Sequence, residues 1–286
     1  MLLQILVSGL LLGGMYTIVA SGFALINGVM KIFNFSHGAL IMLGAYITFW
    51  STVLLGINPL LTIPISMVIL FIIGYSIQRC MINYIVRAPI FMTLILAFGL
   101  DMVIVNIALL LWTGDVRTTP VPFAGQSFSF LWASVSMTRL LAFCVSILST
   151  LGLFLLMGKT KFGRAINAAR MDIDAAKLVG VNIKHVYALT FGLGAMLAGI
   201  AGSLLSLVGS ITPTMGTLFS AKAFAICILG GSGSMFGPLA GGLLMGLLET
   251  AGVAVFGSGY QEVVSFTVLI IVLVVRPRGI FGKEFY

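Results

Sequence analysis

Long apolar stretches, broken only by short clusters of charge, glycine, proline and asparagine, divide the chain into nine candidate spans. They cover 5–26, 39–55, 60–78, 89–112, 140–157, 186–208, 218–229, 239–256 and 263–275. Asn27-Gly28 is expected to end the first, and Gly56-Ile57-Asn58-Pro59 the second, since these residues favour turns. Arg79 is expected to stop the third. A spanning helix needs about 20 apolar residues to cross a core roughly 30 Å thick. The segment 218–229 is short for that and ends at the glycine-rich stretch 230–237, so it is read as a full span or a half-helix. The strands of a transmembrane barrel alternate apolar and polar at period two. Nothing of that kind is present here. The pattern predicts an all-α polytopic transmembrane bundle of about eight to nine spans, forming one permease-type domain over 1–286.

Composition sharpens this picture. Of 286 residues, 60% are hydrophobic and only 8% charged, against about 25% charged in a typical soluble domain. The net charge of +8 does not point to nucleic acid, because the cations sit between apolar runs rather than on a polar face with stacking aromatics. Lys and Arg concentrate on the cytoplasmic side of membrane proteins. Arg79 with Arg87, the loop 159–184, and Arg276, Arg278 and Lys283 all fall on one side if nine spans follow an outward N-terminus. Met1-Leu2-Leu3-Gln4 lacks the basic start of a cleavable signal. Cys80, Cys144 and Cys227 are far apart, without a CxxC pair, and read as packing residues.

The loop 159–184 is too long for a turn. Phe162, Ile166 and Ala169 recur as an apolar stripe, and a second helix is expected to start with Asp172 as N-cap and end at Gly180. An amphipathic pair of this kind lies on a membrane or docks into a partner's groove. Within it, Asp174-Ala175-Ala176 followed by Gly180, with Gly163-Arg164-Ala165 ahead, resembles the coupling motif of ATP-binding-cassette importer permeases. Two further blocks agree. One is Leu11-Leu12-Gly13-Gly14-Met15-Tyr16, then Asn34-Phe35-Ser36-His37-Gly38, then Leu43-Gly44-Ala45-Tyr46; the other is Leu229-Gly230-Gly231-Ser232-Gly233 with Gly237-Pro238 and Gly241-Gly242. In that order they resemble the high-affinity branched-chain amino acid permeases, the H-type subunit rather than the M-type. One departure is Ala39, where that family usually carries an acidic residue after His37-Gly38.

The resemblance implies a multi-pass inner-membrane transport subunit with no enzymatic activity of its own, pairing with a homologous second permease, most readily as a heterodimer. Two ATP-binding subunits would hold ATP and Mg, and a periplasmic binding protein would deliver the solute. Gly163, Arg164, Asp174, Ala175, Ala176 and Gly180 are then the ATPase-coupling residues. The chain contains no GxxxxGK[ST], so ATP chemistry is expected on other chains, and no cofactor is expected on this one.

Charges inside spans are costly and are functional candidates by default. Asp101, Lys222 and Glu249 are such residues; Lys222 is expected to pair with Glu249 or Asp101, or to snorkel toward an outer end, and structural and substrate roles stay open for all three. Asn34, Ser36 and His37 interrupt the apolar pattern and read as a pathway-lining break or as a plain cytoplasmic turn. His185 reads as interfacial, and Ser232 and Ser234 as part of a helix break rather than a nucleophile. An ion-coupled carrier or channel using Asp101, Glu249 and His37 is the alternative; with two histidines and no HExxH, a membrane hydrolase is not supported. Branched-chain amino acids lead as substrate, with urea, short amides and other amino acids open.

Overall fold

The structure is a computed structural model that describes residues 2–86, 88–123, 125–130, 133–231, 234, 236–275 and 279–280. Arg87, Ser232, Gly233, Arg276, Arg278 and Lys283 lie outside the described residues. The helices are α1 (Leu2–Met30), α2 (His37–Leu55), α3 (Thr62–Ile77), α4 (Asn83–Ile85), α5 (Ile90–Trp112) and α6 (Met137–Lys159). They are followed by α7 (Lys161–Met171), α8 (Ile173–Leu178), α9 (Ile183–Val208), α10 (Met215–Gly230), α11 (Gly237–Phe256) and α12 (Gln261–Val275). Eight helices among the described residues are long and apolar enough to cross a membrane, and α10 is a shorter apolar helix. Two small antiparallel pairs cap one end: β1 (Arg117–Thr118) with β4 (Ser210–Ile211), and β2 (Ser127–Phe130) with β3 (Ala133–Ser136).

Two expected boundaries move, and one helix face is rephased. Helix α1 runs through Asn27-Gly28 to Met30, where Lys31 takes a left-handed backbone (φ 55°). Arg79 does not stop α3: a π-helical turn, Gln78–Ile82, carries the helix on into α4. A terminal cation facing water removes no backbone hydrogen bond, so it does not break a helix; the residue before Pro89 is where the helical conformation becomes unfavourable. The α7 stripe is also rephased. Gly163, Ile166 and Ala169 are the buried residues, whereas Phe162 is 59% exposed. Thr160 is the cause: its hydroxyl accepts from the Gly163 amide (3.0 Å) and sets the first turn with Gly163 against the Leu156 and Met157 backbone.

Helix α9 is the axis of the bundle, buried along most of its length against α1, α2 and α3. Small residues make this approach possible where lipid provides no hydrophobic drive for helix association. Gly199 faces α2 at Gly44 and α3 at Ser66, whose hydroxyl donates to the Gly199 carbonyl (3.2 Å). Helices α1 and α11 form another close antiparallel pair through Gly9, Gly13, Gly242 and Gly246.

Two helices begin inside the bundle rather than at its ends. After Met30 the chain returns without regular structure over residues 31–36. Helix α2 then starts at His37, whose Nε2 lies 3.0 Å from the Val19 carbonyl oxygen of α1. Val19 precedes Met30 by eleven residues, a climb of about 16 Å at helical rise. Residues 209–214 make the matching return after α9, and α10 starts with Gly216 packed on Gly38. From this meeting point α2 runs toward the β1–β4 end and α10 toward the opposite end, where Gly230 packs on Gly237.

Candidate functional site

The return segment is built on its own polar groups. Ser36 Oγ donates to Asn34 Oδ1 (2.6 Å), and the His37 amide donates to the Asn34 carbonyl (3.2 Å). Ser220 on α10 joins the two interior helix starts: its Oγ accepts from the Gly38 amide (2.8 Å) and donates to the Phe35 carbonyl (3.0 Å). That bridge satisfies backbone groups which would otherwise be stranded in an apolar interior. Asn34 and His37 are fully buried, yet Asn34 Nδ2 and His37 Nδ1 have no hydrogen-bond partner among the described residues. With Nε2 donating to the Val19 carbonyl, His37 Nδ1 is left as an acceptor, and Asn34 Nδ2 as a donor; a buried polar atom without a partner is costly.

Asn34 opens onto a cleft of about 350 Å³ between the return segment, α5, α10 and α12. Phe23, Phe33, Phe35, Phe98, Phe224 and Phe266 form its apolar wall; Asn34, Asp101, Thr217 and Ser220 are its polar residues. On α10, Thr217, Ser220 and Phe224 are spaced i, i+3, i+7 and so share one face. Of the residues singled out from sequence, Asn34 and Asp101 line the cleft, and Ser36 and His37 stand behind it. Thr217, Ser220 and the phenylalanine wall went unrecognised there, although the i, i+3, i+7 spacing on α10 is visible in the chain.

Lys222 and Glu249 belong elsewhere. Lys222 lies on the other side of α10, 3% exposed, with Nζ 2.8 Å from Glu249 Oε1 and 2.8 Å from the Tyr16 hydroxyl. It neither snorkels to an end nor pairs with Asp101. Tyr16 donates to Glu249 Oε2 (2.5 Å), Gln261 Nε2 donates to the same oxygen (3.0 Å), and Ser265 Oγ donates to Oε1. One carboxylate thus ties together α1, α10, α11 and α12. A buried ion pair is tolerable only with its remaining lone pairs satisfied, and this network satisfies them.

At the bundle end near Gly237, α7 and α8 form the second candidate region. Asp172 caps α8, accepting from the Asp174 (2.8 Å) and Ala175 (3.0 Å) amides. The Gly180 amide donates to the Lys177 carbonyl and the Val181 amide to Ala176, both 3.0 Å, with Gly180 at φ +84°. This is the helix stop that requires a left-handed residue, hence glycine. Ala176 is buried beneath, Asp174 pairs with Lys177 (2.6 Å) at the surface, and Arg164 is exposed. Half-burial of Arg170 lowers its guanidinium below its ordinary range. Phe162, Met171, Leu178 and Val179 stand exposed around this pair; Leu178 is 89% exposed outside any spanning segment. An exposed apolar patch of this kind on a basic loop suits contact with a membrane surface or a partner.

A family profile described as branched-chain amino acid transport system / permease component matches residues 5–273. The chain belongs to that family. It is 36% identical to the high-affinity branched-chain amino acid transport system permease protein BraD of Pseudomonas aeruginosa, over 98% of this chain and 96% of that one. It is 34% identical to the corresponding permease protein LivH of Escherichia coli, with the same coverage. A probable branched-chain amino acid transport permease protein LivH of Methanocaldococcus jannaschii is 27% identical over 98% of this chain and 93% of its own. No solved structure matches. The chain is therefore a multi-pass membrane permease component, and a self-contained ion-coupled carrier is the less favoured reading.

Proposed function

We propose that this chain forms half of the pathway of an ATP-driven importer for branched-chain amino acids, and that the cleft beside Asn34 is where the substrate passes. The observation that carries the reading is the cleft's chemistry: six phenylalanines around a few convergent polar groups. A leucine, isoleucine or valine side chain gains about 1.5–3 kcal/mol from such burial, whereas urea and short amides gain almost none. The Asp101 carboxyl suits the ammonium end of the amino acid and the Asn34 Nδ2 donor suits the carboxylate. The helix starts at His37 and Met215 add partial positive charge near the carboxylate end.

The end that carries Arg79 and the loop 159–184 is cytoplasmic in this reading, and the N-terminus periplasmic. Helices α7 and α8 seat on an ATP-binding subunit and pass its closure to α6 and α9. ATP and Mg bind those subunits; a homologous second permease completes the pathway, favoured as a heterodimer, and a periplasmic binding protein supplies the solute.

Two measurements test this. Leu178→Asp places a charge on the exposed patch without disturbing the α8 core, and Gly180→Arg forces a residue with a Cβ into the left-handed stop. Each is expected to cut co-purification of ATP-binding subunits at least tenfold; no association with the wild-type chain would remove the ATP-driven reading. In reconstituted vesicles, Asp101→Asn is expected to raise the KM for leucine uptake roughly 10- to 100-fold, since a hydrogen bond to a charged group contributes about 1.5–3 kcal/mol. An unchanged KM would move the substrate out of this cleft.

A further inference from the structure

A polar pocket lies at the α7–α8 end of the bundle, between the end of α3, α4 and the start of α9. Its volume is about 370 Å³, and it is lined by Tyr75, Arg79, Asn83, Tyr84, Asn182, Lys184 and His185. Among the described residues no acidic side chain lines it. Its hydrogen-bonding groups are arranged as donors. The Arg79 guanidinium donates to the Tyr75 hydroxyl (3.2 Å), which lies 3.2 Å from His185 Nδ1. With the Tyr75 hydroxyl donating to the Nδ1 lone pair, the neutral ring carries its N–H on the outer nitrogen. Both asparagines have their oxygens committed: Asn83 Oδ1 accepts from Gln78 Nε2 (3.2 Å) and Asn182 Oδ1 from the His185 amide (3.2 Å). Their amide nitrogens are left as donors, beside the Lys184 ammonium and the positive end of the 26-residue helix α9.

The surroundings say which anion. Val68, Ile72, Tyr75 and Arg79 are spaced i, i+4, i+7, i+11, so one face of α3 leads from hydrocarbon to guanidinium. Val68 is 59% and Ile72 57% exposed, and Tyr84 stands at the mouth 83% exposed, where aromatic residues mark the membrane interface. The π-helical turn Gln78–Ile82 sits within the pocket wall, a feature often found at functional sites. We infer that this pocket holds the phosphate headgroup of an anionic phospholipid, with its acyl chain along Val68 and Ile72. The inference rests on the membrane-spanning fold and not on what is transported. Because Asn182 and Lys184 directly follow the Gly180 stop, a bound headgroup also braces the root of the α7–α8 loop.

The test is native mass spectrometry of the permease complex in detergent, titrated with phosphatidylglycerol or phosphatidylcholine of identical chains. A basic residue near the surface contributes roughly fivefold in affinity for anionic lipid, so two contribute about 25-fold. The first phosphatidylglycerol is expected to bind about 25-fold tighter than phosphatidylcholine. Arg79→Gln combined with Lys184→Gln is expected to erase that preference, while Lys159→Gln, a cation outside the pocket, preserves it. Inorganic phosphate at millimolar concentration should leave the lipid bound. Equal retention of the two lipids by the wild type overturns the site without any variant; so does a preference surviving the double substitution. Displacement by inorganic phosphate would make it a soluble-phosphate pocket instead.

Discussion

Lys222→Met is expected to destabilise the protein more than any single change at the surface, by about 3–5 kcal/mol, because it leaves the Glu249 carboxylate buried without its cation. Glu249 is fully buried, and the two charged groups are 2.8 Å apart. Tyr16, Gln261 and Ser265 still donate to Glu249 in the variant, but three neutral donors do not replace a cation in an apolar interior. For a chain of this size the loss corresponds to a fall of roughly 6–20 °C in the Tm of the purified protein. Replacing both partners, as in Lys222→Met with Glu249→Gln, is expected to recover most of it, since the cost lies in the orphaned charge. Leucine uptake by the double variant separates the roles. Uptake close to wild type makes the pair a clamp that holds α10 to α1, α11 and α12; loss of uptake in a stable double variant would make it part of the transport machinery.

Choosing between Glu249 and Asp101 as the partner of Lys222 was beyond the sequence, and the reason is geometric. Position in a span sets the depth of a side chain but not the direction it faces once helices pack. On α10, Thr217, Ser220 and Phe224 turn to the cleft while Lys222, two residues from Ser220, turns about 200° away toward Tyr16 and Glu249. What was legible obeys local rules. Unbroken apolar runs gave the spans, and Asp172 and Gly180 gave both ends of α8 through cap chemistry that depends on a few neighbouring residues. The return of residues 31–36 into the bundle was one of two open readings. Deciding it required Ser220 and Gly216, which lie far along the chain from Phe35 and Gly38. No local pattern reports a contact of that range. The same limit explains Phe162, whose helical spacing with Ile166 suited burial until the Thr160 cap fixed the phase of α7.

The contact between the interior helix starts is the second place where one small change has a large expected effect. A Cβ added to Gly216 would lie 2.6 Å from the Gly38 carbonyl oxygen and 3.0 Å from the Ala39 amide nitrogen, and a Cβ on Gly38 would collide with the Gly216 carbonyl. Both obstructions are backbone, which cannot rotate aside as a side chain would. Gly216→Ala must therefore push α10 from α2, at a cost typical of overpacking, about 1–3 kcal/mol. The shift also strains the Gly38–Ser220–Phe35 bridge and widens the cleft at Thr217 and Ser220. Leucine uptake is expected to fall at least tenfold, with a lower Tm. Gly28→Ala is the matched control: a Cβ there meets nothing within 4 Å, and Gly28 sits inside α1. Alanine is favoured over glycine in a helix by roughly 0.5–1 kcal/mol, so that variant is expected to be as stable as the parent or more so. If Gly216→Ala transports normally, α2 and α10 are free to separate, and the substrate path does not depend on their meeting. If it fails while Gly28→Ala is unaffected, the crossing of the two interior helix starts is what gives the cleft its shape.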